Sequence, residues 1–159
     1  MSRCYLDTHF IYVHLRAEYG AAPDRIESWR ERVLAELDSD GGVISALVLD
    51  ELAYRLILAW LRDDGHGDPL STYRAEPQLV MKAVSQRLAS TWQSIDSLSL
   101  ALQPTDQSVV EQAKSLMAQP GLAPRDAFHA AHALEAACPV IASADASFAQ
   151  VPGLSVLAP

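Results

Sequence analysis

A chain of 159 residues, half of them hydrophobic, can bury one core without disulfides or a structural metal. Its formal net charge is −8, and its twelve Lys and Arg are scattered, so it lacks the basic stripe of a free-standing nucleic-acid binder; this weighs against strong non-specific RNA affinity but not against a metal-bridged site. Cys4 and Cys138 fit no CxxC or Cys/His zinc spacing and read as ordinary buried thiols, and no apolar run reaches the roughly 18 residues of a membrane span.

Residues 3–7 read as a short buried strand ending at Asp7. No basic region or long apolar stretch of a signal peptide precedes them, which predicts one cytoplasmic domain over 1–159. Residues 9–18 are apolar at helical spacing, and 20–23 break the pattern. Asp24 suits the N-cap of a second helix running to about Leu37. A turn over 38–42 leads into the strand Val43-Ile44-Ser45. Ser45 can cap a long helix with Leu47, Val48, Leu52, Leu56 and Leu61 at apolar positions.

Residues 63–77, carrying Gly65, Gly67, Pro69 and Pro77, read as a loop inserted within the domain. Helix resumes over 78–94, and 98–102 is a strand. Pro104-Thr105-Asp106 starts a helix through Met117, which Pro120-Gly121 ends. Pro124 suits the first turn of a helix over 125–137. Strands follow at 139–143 and 154–157, and no internal repeat is present. The alternation predicts an α/β fold with a short, mostly parallel sheet flanked by helices.

Four carboxylates stand beside apolar runs: Asp7, Glu51, Asp126 and Asp145. Charged side chains are seldom buried without a partner, and carboxylates gathered by folding repel one another unless a hard cation joins them. Mg2+ takes oxygen ligands and suits that role, which points to a metal-dependent hydrolytic site. Functional groups of parallel sheets gather at the carboxyl ends of strands, where Asp7 and Asp145 fall. Asp126 lies in the first turn of its helix, where the dipole alone favours a negative charge.

Four segments in order, YLDTHF, ISALVLDEL, LAPRDAFHAAHAL and IASADASF, resemble the motifs of the PIN-domain ribonucleases, especially toxins of the VapC type. The resemblance covers nearly the whole chain, and the six-residue step from Ser45 selects Glu51, not Asp50. It implies a PIN-like three-layer fold and hydrolysis of RNA phosphodiester bonds. Asp7, Glu51, Asp126 and Asp145 would hold one or two Mg2+ or Mn2+ ions, with Asp7 and Asp126 foremost as direct ligands. Thr8 and Ser143 would orient a carboxylate, water or phosphate. The implied partners are an RNA substrate, a cognate antitoxin inserting a basic segment into the acidic groove, and a second copy of the chain through helices of the first half.

Several residues carry competing readings. His129 shares a helix face with Asp126 and reads either as a phosphate contact or as a structural imidazole. His132 points to another side, which argues against an Asp126–His129–His132 metal triad. His9 is a substrate or partner contact or fills a groove mouth; Arg55, one turn beyond Glu51, offsets its charge or touches RNA, with the ion pair the first reading. Trp29, Trp60 and Trp92 fit helical packing better than base stacking, and Arg25, Arg30 and Arg32 fit a solvated helix face. Two other functions remain open: a non-catalytic PIN-like module whose acidic groove binds a basic protein segment, and another metal-dependent phosphohydrolase. The haloacid-dehalogenase pattern wants a second aspartate where His9 stands.

Overall fold

Five parallel strands form one sheet in the order β3-β2-β1-β4-β5. The computed structural model describes residues 3–17 and 24–159, so Glu18 and the breaker expected at 20–23 lie outside the described residues. The strands are β1 (Cys4–Leu6), β2 (Gly42–Ser45), β3 (Ala101–Gln103), β4 (Val140–Ala142) and β5 (Ser155–Leu157). Seven α-helices flank them among the described residues: α1 (Thr8–Ala17), α2 (Asp24–Asp40), α3 (Ala46–Asp63), α4 (Pro69–Ala75), α5 (Pro77–Ser97), α6 (Gln107–Ala118) and α7 (Pro124–Glu135). A 3-10 turn, Ala146–Gln150, follows β4.

The strand order positions the site. From β1 the chain steps outward to β2 and β3, then returns past β1 to lay down β4 and β5 on its other side. Connections therefore diverge between β1 and β4, and a crevice opens there at the strands' carboxyl ends. Tyr5 pairs in register with both Val43 and Ile141, which makes β1 the centre of the sheet. Its apolar composition follows from burial on both faces: Cys4, Tyr5 and Leu6 are buried, as are Ile141 and Ala142 of β4. Phe10, Trp29 and Phe148 complete the core around them.

Both cysteines are buried and free, and burial raises their thiols, Cys4 to about 12 and Cys138 to about 11. Trp29 donates Nε1–H to the Leu157 carbonyl at 2.7 Å, while Arg25 and Arg32 donate to the Pro159 and Ala158 carbonyls. One face of α2 thus fastens the end of β5 and the two residues after it. Arg30 pairs with Glu27 and His14 Nδ1, so the densest cationic group of the sequence serves its own fold.

Several local expectations are corrected. The loop expected over 63–77 contains α4, and its first residue, Asp63, closes α3. Asp68 caps α4 by accepting from the Ser71 N–H, with Pro69 at its first position, a start signal present in the sequence. This stretch is the corner of a helical arm whose own small core is Ile57, Leu61, Val80, Val84 and Leu88. Helix α2 outruns the turn expected at 38–42 and ends at Gly41, whose φ of 82° suits glycine and whose N–H bonds the Leu37 carbonyl. Gly42 follows, and a Cβ there would sit 2.5 Å from Leu100 Cδ2 and 2.6 Å from Leu37 Cδ2, so a larger residue would have to displace both side chains. Helix α5 runs on to Ser97, which pushes β3 to 101–103 from the expected 98–102. Ser45 occupies the N-cap position of α3 but makes no side-chain cap bond; its hydroxyl meets that of Tyr5 instead. Among the described residues no helix is long and apolar enough to cross a membrane.

Candidate active site

The crevice beyond β1 and β4 is a cavity of about 560 Å³ lined by Asp7, Glu51, Asp126 and Asp145, together with Thr8, His9, Arg55, Arg125, His129 and Ser143. Each acid arrives by a separate element. Asp7 follows β1, Glu51 sits on α3 after β2, Asp126 is in the first turn of α7, and Asp145 follows β4 and accepts the Ser147 N–H to start the 3-10 turn.

Asp7 and Glu51 are the two largely buried carboxylates. The buried Ser143 hydroxyl donates to Asp7 Oδ2 at 2.6 Å and itself accepts the Asp145 N–H at 3.0 Å. Asp7 Oδ1 is left 3.7 Å from His129 Nε2. Glu51 Oε2 accepts from Thr8 Oγ1 at 2.8 Å and lies 3.0 Å from His129 Nε2; its Oε1 is 3.3 Å from Arg125 Nε. Burial pushes the Glu51 carboxyl up, but hydrogen bonds from His129 and Thr8, with the charge of Arg125, outweigh it and hold the group below its usual value. Asp126 goes the other way: burial, then the Asp145 charge, raises it.

His129 is 2% exposed, with Nδ1 3.0 Å from the Tyr5 hydroxyl, whose oxygen lies 2.8 Å from Ser45 Oγ. Burial drives the Tyr5 phenol upward, so it keeps its proton. Asp7, Glu51 and His129 each present a ligand-type atom within 4.8 Å of the others. Asp126 and Asp145 line the same cavity without joining that tight trio. His132 is committed elsewhere, to Thr105 through Nε2 and to the Phe128 carbonyl through Nδ1. The donor set facing the cavity is thus mostly carboxylate oxygen and fits a hard divalent cation.

Sequence reasoning missed two residues and misread a third. Arg55 was expected to pair with Glu51; its guanidinium instead lies 4.7 Å from the Tyr12 ring centroid, and Arg125 supplies the cation. Arg125 had a signal, since a cation in the first turn of a helix opposes the dipole and needs another reason to be there. Tyr5 had none beyond its place in an apolar strand. His9 lines the cavity and tilts against Trp29, and burial lowers its imidazole.

A wholly parallel sheet with four carboxylates gathered at its switch point, Asp7 and Glu51 held by hydroxyl and imidazole groups, defines an α/β protein with an acidic crevice. The PIN domain model matches residues 4–154, and the chain belongs to the PIN-domain family, whose members are typically metal-dependent nucleases. Three solved structures are similar. VapBC2 from Rickettsia felis, bound to a DNA fragment from its promoter, aligns at 18% identity over 96% of each chain with a TM-score of 0.57. FitAB bound to an IR36 DNA fragment aligns at 19% identity over 96% of this chain and 92% of that one, with a TM-score of 0.50. FitAcB from Neisseria gonorrhoeae aligns at 23% identity over 96% and 95%, with a TM-score of 0.49. No protein of curated function matches the sequence.

Proposed function

We propose that this chain is a metal-dependent endoribonuclease acting as the VapC-like toxin of a type II toxin–antitoxin pair. The observation that carries the reading is the convergence of Asp7, Glu51, Asp126 and Asp145 on one crevice at the switch point of a PIN-family sheet. These four carboxylates would hold Mg2+ or Mn2+. Once bound, the ion lowers the pKa of a ligated water and neutralises charge at the scissile phosphate.

The chain's own residues prepare that chemistry. Ser143 fixes the rotamer of Asp7, and Thr8 fixes that of Glu51. Arg125, whose side chain is exposed, and Arg55 line the same cavity and would meet phosphate oxygens there. Burial and the Asp145 charge raise the Asp126 carboxyl, and a cation beside it would favour the charged form. No protein nucleophile takes part. A net charge of −8 gives the phosphodiester no general attraction, so binding concentrates at the crevice.

The same acidity suits a small basic antitoxin, with an Arg forming bidentate bonds to the crevice carboxylates. The working form would be a cytoplasmic homodimer of single-domain chains spanning 1–159, paired through helices of the first half.

Cleavage of a structured total-RNA pool by partner-free protein tests the reading, with Mg2+ or Mn2+, with EDTA, and with Asp7→Ala/Asp126→Ala as control. Discrete, metal-dependent products absent from the control support it. Folded protein that cuts nothing and binds no metal overturns it in favour of a PIN-like module whose acidic groove docks a basic segment.

A further inference from the structure

Asp7, Glu51 and His129 have the spacing of a three-ligand metal site. Whether His129 can offer a lone pair depends on where its ring keeps a hydrogen, and a buried chain of hydrogen bonds decides that. Glu51 Oε2 lies 3.0 Å from Nε2. A carboxylate is an acceptor only, and two bare lone pairs at that distance would repel, so Nε2 carries a hydrogen. On the ring's other side Nδ1 lies 3.0 Å from the Tyr5 hydroxyl, which lies 2.8 Å from Ser45 Oγ. With the ring neutral, Tyr5 donates to Nδ1 and Ser45 donates to Tyr5, so every proton in the chain has one acceptor. Tyr5 and Ser45 are fully buried and His129 nearly so, which leaves no room for water to supply other partners. A doubly protonated ring would change the direction of the Tyr5 bond but would still carry the Nε2 hydrogen.

We propose that the Ser45–Tyr5–His129 chain holds the imidazole as an Nε2–H donor to Glu51, making His129 a positioning residue and excluding it from the metal's ligand set. The metal half of this statement rests on the nuclease reading; the hydrogen's place on the ring does not. Asp7 Oδ2 is taken by Ser143, and Glu51 Oε2 by Thr8 and His129. Asp7 Oδ1 and Glu51 Oε1 are the oxygens that no hydroxyl or imidazole bond takes; Glu51 Oε1 lies 3.3 Å from the exposed Arg125, which a cation would displace. A site of oxygen donors alone suits Mg2+ and Mn2+, whereas a free imidazole lone pair would draw Zn2+ or Ni2+. Support of this kind, a second residue fixing the ring and the ring fixing a carboxylate, is a recurrent way to orient metal ligands.

Imidazole nitrogen NMR of histidine-labelled wild-type protein tests the inference without a variant that could misfold; the His129 signals are identified by their loss in His129→Gln. The expected result is a hydrogen on Nε2 in metal-free protein, retained with saturating Mg2+. A ring protonated on Nδ1 alone, or an Nε2 that loses its hydrogen on Mg2+ addition, overturns it. An Nε2–H signal in protein that fails to bind Mg2+ supports the ring assignment while the nuclease reading falls. The positioning role has its own readout in Tyr5→Phe, checked for folding by circular dichroism. It should lower kcat about tenfold, with KM and Mn2+ affinity within about threefold of wild type. An unchanged kcat in the folded variant overturns the role. His129→Gln, which keeps an N–H at the chain's end, should recover part of the kcat lost in His129→Ala.

Discussion

Ser143→Ala probes the most buried contact of the crevice. Ser143 is fully buried, and its hydroxyl donates to Asp7 Oδ2 at 2.6 Å. Hydrogen bonds to a charged group contribute about 1.5–3 kcal/mol, and removing the donor leaves a largely buried carboxylate short of one partner. The Asp145 N–H also loses its acceptor, but Asp145 is exposed and water can replace it. The expected cost is therefore about 2–3 kcal/mol, and about 5–10 °C in Tm for a chain of this length. Urea denaturation in EDTA measures it free of any metal contribution. A double-mutant cycle with Asp7→Ala separates the bond from simple loss of packing: without the carboxylate, Ser143→Ala should cost about 1 kcal/mol or less. A single-mutant cost under about 0.5 kcal/mol, or a coupling near zero, would refute the view that Ser143 holds Asp7.

Three other outcomes are expected. Burial and Asp145 raise the Asp126 carboxyl above its unfolded value, so the stability it contributes is present at low pH and lost as pH rises through the folded pKa. Asp126→Asn should remove that loss and leave the metal-free protein more stable near neutrality by about 1 kcal/mol or less, seen by comparing melting at about pH 4 and about pH 7. Arg125→Ala should weaken RNA binding across sequences and reduce the salt dependence of binding by about one ion, read by fluorescence anisotropy over a salt series. Trp29→Phe removes the indole N–H bonded to the Leu157 carbonyl and part of a fully buried ring, which should cost about 2–3 kcal/mol and speed amide exchange in β5.

The fold was legible because its pattern is local. Apolar runs bounded by Gly, Pro and Asp mark the strands, and Asp106 and Pro124 mark helix starts where the structure has them. The acids were legible because each lies in an ordered motif. What hid was whatever depends on distant parts of the chain. Tyr5 looks like one more residue of a buried strand until its hydroxyl is seen beside His129, 124 positions later. Ser45 looks like a helix cap because its type and position fit one, yet the partner within reach is Tyr5. Residues 63–77 misled for another reason: Gly65 and Gly67 drew attention away from Asp68-Pro69, a helix start in the same stretch.

The separation in sequence of the groups that meet in the crevice also bears on when the site comes into being. Ser143 reaches back 136 positions to Asp7, and Arg25 holds the Pro159 carbonyl 134 positions on. The central strand is made before β2 and β3, while β4, which completes one wall of the crevice, is made after both. Such long-range pairings form slowly and only once both partners exist. On the ribosome, α1, α2 and α3 emerge with Asp7 and Glu51 already synthesised but without α7, β4 or Asp145 beside them. The crevice therefore assembles only after α7, β4 and Asp145 have left the ribosome, and until then its four acids do not share one site.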